Sequence, residues 1–134
     1  MLVRDIMTKE VVTISPDTGV VEAKRIMDAR NFRRLPVVED GKLVGLVTMR
    51  TLEKVAPTGR FDNVWELSYS LGSLYRTPVK NIMHTDVVTV KPGMTVEEAL
   101  ALAQSKKVGA LVVVEDGGKV VGIVTTNDFF YRIV

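Results

Sequence analysis

The chain has no cysteine, one histidine and one tryptophan among its 134 residues, and aromatic side chains make up only 6%. Each shortage excludes something. Without cysteine there is no disulfide framework and no Cys-ligated zinc or iron–sulfur centre. The single histidine, His84, cannot build a multi-histidine metal site, and it reads as a polar loop residue. No apolar run approaches the roughly 18 residues of a membrane span. The opening "MLVRDIMTKE" carries Arg4, Asp5, Lys9 and Glu10 and has no apolar stretch of signal-peptide length. A cytoplasmic protein that makes no use of a membrane is the expectation. Neither sign of charge dominates, since 18 Lys and Arg face 16 Asp and Glu for a net +2, too small an excess to indicate nucleic acid by itself. P-loop, Rossmann glycine, nucleophile-elbow and metal-binding patterns are all missing. What is present, 46% hydrophobic and 25% charged residues, suits a compact soluble domain.

The dominant feature is an internal repeat. "VRDIMTKEVVTISPDTGVVEA" (Val3 to Ala23) lies without a gap over "VKNIMHTDVVTVKPGMTVEEA" (Val79 to Ala99), at an offset of 76. The match continues from "LPVVED" (Leu35 to Asp40) to "LVVVED" (Leu111 to Asp116). One extra glycine then moves the offset to 77, where "GKLVGLVT" (Gly41 to Thr48) meets "GKVVGIVT" (Gly118 to Thr125). The repeat divides the chain into unit 1–56, a linker 57–78 and unit 79–134.

Each unit has the same local grammar. "VVTI" and "VVTV" are β-branched runs closed by Pro16 and Pro92, and read as strands. Val20, Ala23 and Met27, and then Val96, Ala99, Leu100 and Ala103, recur at helical spacing. Thr95 with Glu98 predicts a capping box for the second of these helices; Gly19 and Glu22 make a weaker start for the first. The apolar pairs "LPVVEDGKLVGLVT" and "LVVVEDGGKVVGIVT" are joined through Asp-Gly and Asp-Gly-Gly, which predicts hairpins. A shorter helix follows each, near Thr48 and near Thr125. The pattern is strand, helix, strand, strand, helix, with the crossover allowing a parallel pair in a mixed sheet. A unit of this size buries only about 60% of its unfolded surface, so the two copies are expected to share a core as a pseudo-twofold pair. In the linker, Pro57 and Gly59 break the preceding helix and Asp62 can cap a new one. Val64, Trp65, Leu67, Leu71 and Leu74 fall on one side of it, a stripe that could cover the pair's own core or form a dimer contact.

Taken together, the duplicated "IM…VVT…P", the amphipathic helix, "LPVV…DG" and the Gly-aliphatic-aliphatic-Thr stretch resemble a tandem pair of cystathionine-β-synthase (CBS) domains, a Bateman module. The resemblance covers nearly the whole chain outside the linker, and its specificity lies in the ordered duplication. It implies an α/β (α+β) fold of two β-α-β-β-α domains packed sheet to sheet with pseudo-twofold symmetry. It also implies two related clefts for adenosine-containing ligands, AMP, ADP, ATP or S-adenosylmethionine. Such pairs often dimerise; they have no catalytic activity of their own and regulate a partner. No cofactor is implied.

The family's ligand motif is Gly, two apolar residues, Ser or Thr, two variable residues, then Asp or Asn. "GIVTTND" matches it with Gly122, Thr125 and Asp128, Asn127 being a variable position. Gly122 permits close backbone approach, Thr125 brings a hydroxyl to a helix start, and helix-start N–H groups favour phosphate. An ionised Asp128 can accept both ribose hydroxyls. The same Thr-x-x-Asp spacing is also a capping pattern that satisfies the helix's own N–H groups, and on physics alone both readings stay open. The resemblance faces this motif with the opposite copy: Thr8, the segment Val11, Val12 and Thr13, and "FRRLP" with Phe32, Arg33, Arg34 and Pro36. The aliphatic residues would form an adenine slot and the two guanidinium groups would meet phosphates. The bland alternative for Arg33 and Arg34 is a solvated loop.

The other cleft, with Thr48, Thr51 and "VGALV" (Val108 to Val112), has neither the carboxylate nor the arginines. Arg50 and His84 are its polar resources, and it is expected to be weak or empty. The leading function is a regulatory adenine-nucleotide-binding module, forming a homodimer and acting on an unidentified protein. Two other readings stand behind it. Nucleic-acid binding through Lys24, Arg25, Arg30, Arg33 and Arg34 lacks an aromatic platform beyond Phe32, and a ligand-free interaction scaffold would need Asp128 to be only a cap. An enzyme ranks last, for want of a paired acid and base or an activated nucleophile.

Overall fold

The computed structural model describes residues 1–55 and 71–131. After a short helix α1 (Val3–Ile6) come α2 (Val20–Arg30), strands β1 (Arg34–Glu39) and β2 (Lys42–Thr48), and α3 (Met49–Val55). A 3-10 turn (Val79–Asn81) opens the second repeat, followed by β3 (Thr89–Val90), α4 (Val96–Lys106), β4 (Ala110–Val114), β5 (Val120–Thr125) and α5 (Thr126–Tyr131). The result is a mixed α+β fold in two related halves. Among the described residues no helix is long and apolar enough to cross a membrane.

Both hairpins form where Asp-Gly and Asp-Gly-Gly predict them. Asp40 and Gly41 take φ of 53° and 77°, the pair of positive angles that a two-residue turn matching strand twist requires. The registers correspond across the repeat, Arg34 opposite Thr48 in the first half and Ala110 opposite Thr125 in the second. Helices α2 and α4 both end on left-handed residues, Asn31 and Lys107. Thr95 caps α4 by accepting from the Glu98 N–H at 3.1 Å, while Gly19 gives α2 no side-chain cap. The Glu98 side chain does not complete a reciprocal box, since its Oε1 accepts from the Thr95 hydroxyl at 2.8 Å.

The expected first strands are shorter than their β-branched runs. In the second half Thr89 and Val90 pair parallel with Val112 and Val113, and the Val112 N–H reaches the Val88 carbonyl at 3.1 Å. In the first half only Ile14 pairs, donating to Pro36 O at 3.0 Å and accepting from Val38 N–H at 2.8 Å. The next rung would need an N–H at position 36 reaching the Val12 carbonyl. Proline has none, so the ladder stops and residues 11–13 are released from it.

Each hydrophobic core combines one repeat with the opening segment of the other. Val3, Ile6 and Met7 lie in the core of Val90, Val96, Ala99, Leu111, Val113 and Val124. Val79, flanked by Ile82 and Met83, belongs with Ile14, Val20, Met27, Leu35, Val37 and Val47. The exchange is held by backbone bonds: Val3 N–H to Met94 O at 2.8 Å, Thr8 to and from Ile123 at 2.8 and 3.0 Å, and Leu46 to and from His84 at 2.9 Å each. The outer edges of β5 and β2 are thus extended by Thr8 and His84, which relates the halves by an approximate twofold. The cores therefore cut across the sequence repeats.

Glycine makes this closeness possible. A Cβ at Gly122 would stand 2.7 Å from Met7 Sδ and 3.0 Å from Thr8 O; one at Gly45 would stand 2.5 Å from Met83 Sδ and 3.0 Å from His84 O. Of the linker stripe, Val64, Trp65 and Leu67 and the Asp62 cap lie outside the described residues. Residues 71–75 are helical, with Leu74 packed on the first-half core and Leu71 exposed at 39%.

Candidate functional site

The exchange of opening segments brings the two repeats together at two clefts related by the approximate twofold. The first is lined by Thr8, Glu10, Val11, Val12, Phe32, Arg33 and Arg34 from the first repeat, and Ile123 and Thr125 from the second, around about 120 Å³. Asp128, 6% exposed in the first turn of α5, is not in that lining but is bonded to two of its residues, Thr125 and Thr8. Its Oδ2 accepts from the Thr125 N–H at 2.8 Å and the Thr125 hydroxyl at 3.3 Å. Its Oδ1 is approached by the Thr8 hydroxyl at 3.4 Å. The carboxylate thus acts as a cap and at the same time ties the two repeats together.

The remaining residues expected here are placed differently. Thr13 is exposed outside the cavity lining, and so is Asn127 on the outer side of α5. Pro36 is fully buried in β1, its carbonyl bonded to Ile14. Gly122 gives its close approach to Met7 and the Thr8 backbone, which already fill the space. Phe32 packs partly on the first-half core with the Arg30 guanidinium 5.5 Å from its ring centroid, and Arg30 reaches Glu10 at 3.3 Å. Glu10 and Ile123 were not anticipated as lining residues. Glu10 could have been reached by extending the cleft along the exchanged segment, and Ile123 is the first apolar position of the Gly-apolar-apolar-Thr motif.

The second cleft departs from expectation. About 430 Å³ in volume, it is lined by Thr48, Arg50, Thr51, Lys54, His84, Asp86, Val87, Val108, Gly109 and Ala110 among others, and also by Arg34. It does contain an arginine from the Arg33–Arg34 pair, because the Arg34 side chain passes from β1 toward the opposite repeat. The positions corresponding to Arg33 and Arg34 are Gly109 and Ala110, and this lack of bulk leaves room for the guanidinium. A Cβ at Gly109 would stand 3.9 Å from Arg34 Nη2. His84 is likewise more than a loop residue. Its Nε2 lies 2.8 Å from Thr51 Oγ1, which is 3.0 Å from Thr48 Oγ1, while Thr48 Oγ1 accepts the Thr51 N–H at 3.1 Å. His84 and Thr51 occupy the repeat positions of Thr8 and Asp128. The same cross-repeat contact is hydroxyl to carboxylate in one cleft and imidazole to hydroxyl in the other.

Arg34 is half-buried between the clefts, and burial first, then the charge of Arg33, lowers its pKa. Among the described residues no acceptor lies within hydrogen-bond or ion-pair range of its side chain. A partly desolvated guanidinium without a counter-charge favours an incoming anion. No group of three or more metal-ligating side chains is present among the described residues.

Compared with known proteins, residues 3–57 and 79–134 each match the CBS domain, so the chain is a tandem CBS pair and belongs to that family. It is 37% identical over 124 residues to an inosine-5'-monophosphate dehydrogenase of Korarchaeum cryptofilum, a match covering 92% of this chain and 22% of that protein. The chain therefore spans about a fifth of that relative's length. The CBS domain pair of protein MJ0100, solved in complex with 5-methylthioadenosine and S-adenosyl-L-methionine, superposes with a TM-score of 0.78 at 27% identity, covering 98% of this chain and 94% of that one. CBSX2, solved in complex with AMP, gives a TM-score of 0.78 at 26% identity with the same coverage.

Proposed function

We propose that this chain is a regulatory module, not an enzyme, that binds an adenosine-containing ligand between its repeats and passes occupancy on to another protein in the cytoplasm. The ligand class is AMP, ADP or ATP, with S-adenosylmethionine as a further member. The observation that carries the reading is one cleft lined by two adjacent arginines of the first repeat and by Thr8 and Thr125, the two residues bonded to the buried Asp128 carboxylate of the second. Asp128 would take the ribose hydroxyls in exchange for its long contact to Thr8, Val11 and Val12 would flank the adenine, and Arg33 and Arg34 would meet phosphate. Relatives solved with AMP and with S-adenosyl-L-methionine support the class. A cavity of about 120 Å³ is below the roughly 300–1,000 Å³ of small-molecule sites, so binding requires the cleft to widen. That movement, across segments exchanged between the two cores, is how occupancy would alter the shape of the pair.

The homodimer belongs to the same reading, and the face of α4 and α5 supports it. Leu100, Phe130 and Tyr131 are exposed beside an apolar groove of about 530 Å³. The repeat positions of Leu100 and Phe130 in the first half are Lys24 and Glu53, and α2 satisfies its own charges through Lys24–Asp28 and Arg25–Glu22 pairs at 2.7 and 2.8 Å. Helix α4 has Glu97 and Glu98 at one end and Lys106 and Lys107 at the other. An antiparallel twofold contact of two α4 helices would match opposite charges.

Calorimetric titration with AMP, ATP, S-adenosylmethionine and a short oligonucleotide tests the ligand class, alongside Asp128→Ala and Arg33→Ala. Nucleotide binding that both variants weaken is expected. Undiminished affinity in Asp128→Ala would overturn the site, and salt-sensitive oligonucleotide binding without nucleotide binding would favour the nucleic-acid reading.

A further inference from the structure

We infer that Arg34 is one anion-binding residue shared by two clefts, so that a phosphate-bearing ligand held in the Asp128 cleft weakens anion binding in the Thr51–His84 cleft, and the reverse. The inference rests on the proposed nucleotide site for its first ligand. Its own support is geometric. Arg34 is the residue common to the linings of both cavities, and its guanidinium reaches past the side-chain-free Gly109. It has no hydrogen-bonded or ionic partner among the described residues that would hold it on either side. The second cleft has Arg50 and Lys54 in its wall against one carboxylate, Asp86, with hydroxyls at Thr48 and Thr51, so with Arg34 the cations outnumber the acid and the cleft suits an anion that Arg34 would complete.

A guanidinium fork that turns toward phosphate in one cleft turns its donors away from the other. Loss of one charge-assisted hydrogen bond corresponds to about a tenfold or greater fall in affinity. By linkage the penalty is the same whichever cleft fills first. The repeat alone would not produce this behaviour, because Ala110, at the position corresponding to Arg34, cannot reciprocate.

The test uses the intact chain and two probes, ADP and inorganic pyrophosphate, read by NMR. Amide signals of Thr125 and Asp128 report the first cleft; the Thr51 amide and the His84 ring report the second. Pyrophosphate affinity at the second cleft is measured without ADP and with ADP at a concentration that saturates the first. In the wild type, ADP is expected to weaken pyrophosphate at the His84 reporters by about tenfold or more. In Asp128→Asn, where the same ADP concentration fills less of the first cleft, the weakening should shrink in step with the occupancy that the Thr125 amide reports; an undiminished effect at reduced occupancy means that ADP competes directly in the second cleft, and overturns the inference. In Arg34→Met, pyrophosphate should bind the second cleft more weakly and ADP should no longer matter. A full ADP effect in Arg34→Met assigns the coupling to general charge repulsion and also overturns it. Absence of any ADP response at Thr125 and Asp128 in the wild type refutes the nucleotide site itself, and the coupling with it.

Discussion

Replacing Gly122 by alanine adds one methyl group at the point where the exchanged N-terminal segment crosses β5. An alanine Cβ would stand 2.7 Å from Met7 Sδ, 3.0 Å from Met7 Cγ and 3.0 Å from Thr8 O. The methionine end can swing aside, since its thioether chain is flexible. The Thr8 carbonyl cannot, because Thr8 and Ile123 exchange two backbone hydrogen bonds at 2.8 and 3.0 Å. The strain therefore falls on the strand edge and on the Thr8–Asp128 contact beyond it. Overpacking of this kind costs about 1–3 kcal/mol. For a chain between the size classes in which 1 kcal/mol moves Tm by about 4–8 °C and 2–4 °C, a drop of roughly 3 °C or more follows. Differential scanning calorimetry of Gly122→Ala measures it. Gly93→Ala is the control, since a Cβ there meets nothing within 4 Å. If Gly122→Ala melts within 1 °C of the Gly93→Ala protein, the claim that glycine is required by the crossing segment is wrong.

Three further expectations can be checked separately. Ile6→Ala, fully buried in the second-half core although it belongs to the first repeat, should cost about 2–4 kcal/mol in urea denaturation, whereas a dispensable N-terminal tail would cost almost nothing. Asp128→Asn keeps an acceptor for the Thr125 N–H while removing the charge; AMP affinity should fall about tenfold with Tm nearly unchanged, and equal affinity would leave Asp128 with only its cap. Pro36→Val restores the N–H that Val112 has in the second repeat, so the amide at 36 should become protected from hydrogen exchange by the Val12 carbonyl. Exchange as fast as an exposed loop would refute the account of the shortened strand.

Much of this protein was legible before its structure was known. The helices starting at Val20 and Val96 follow from the spacing of Val20, Ala23 and Met27 and of their counterparts, and the hairpins from Asp40-Gly41 and Asp116-Gly117-Gly118. The candidate cleft was legible in part. Thr8, Val11, Val12, Phe32, Arg33, Arg34 and Thr125 do line one cavity, with Asp128 bonded to Thr8 and Thr125, whereas Pro36 and Gly122 are spent on the sheet and the crossing segment. The β-branched runs predict a longer first strand in each unit than forms, since β-branched composition records a preference for extended backbone and not the availability of an N–H on the neighbouring strand.

The amino-acid sequence by itself determined the duplication, the type and order of elements in each copy, and the unequal endings of "GLVTMRT" and "GIVTTND", because these depend on spacing and residue type along the chain. Which copy each opening segment packs on was decided only by tertiary structure. "VRDIM" and "VKNIM" present nearly the same apolar pattern, and each would suit either core. Tertiary structure also decided that Arg34 lines both clefts. That follows from the absence of bulk at Gly109 and Ala110 on the opposite repeat, a distance across the pseudo-twofold that periodicity along the chain does not encode.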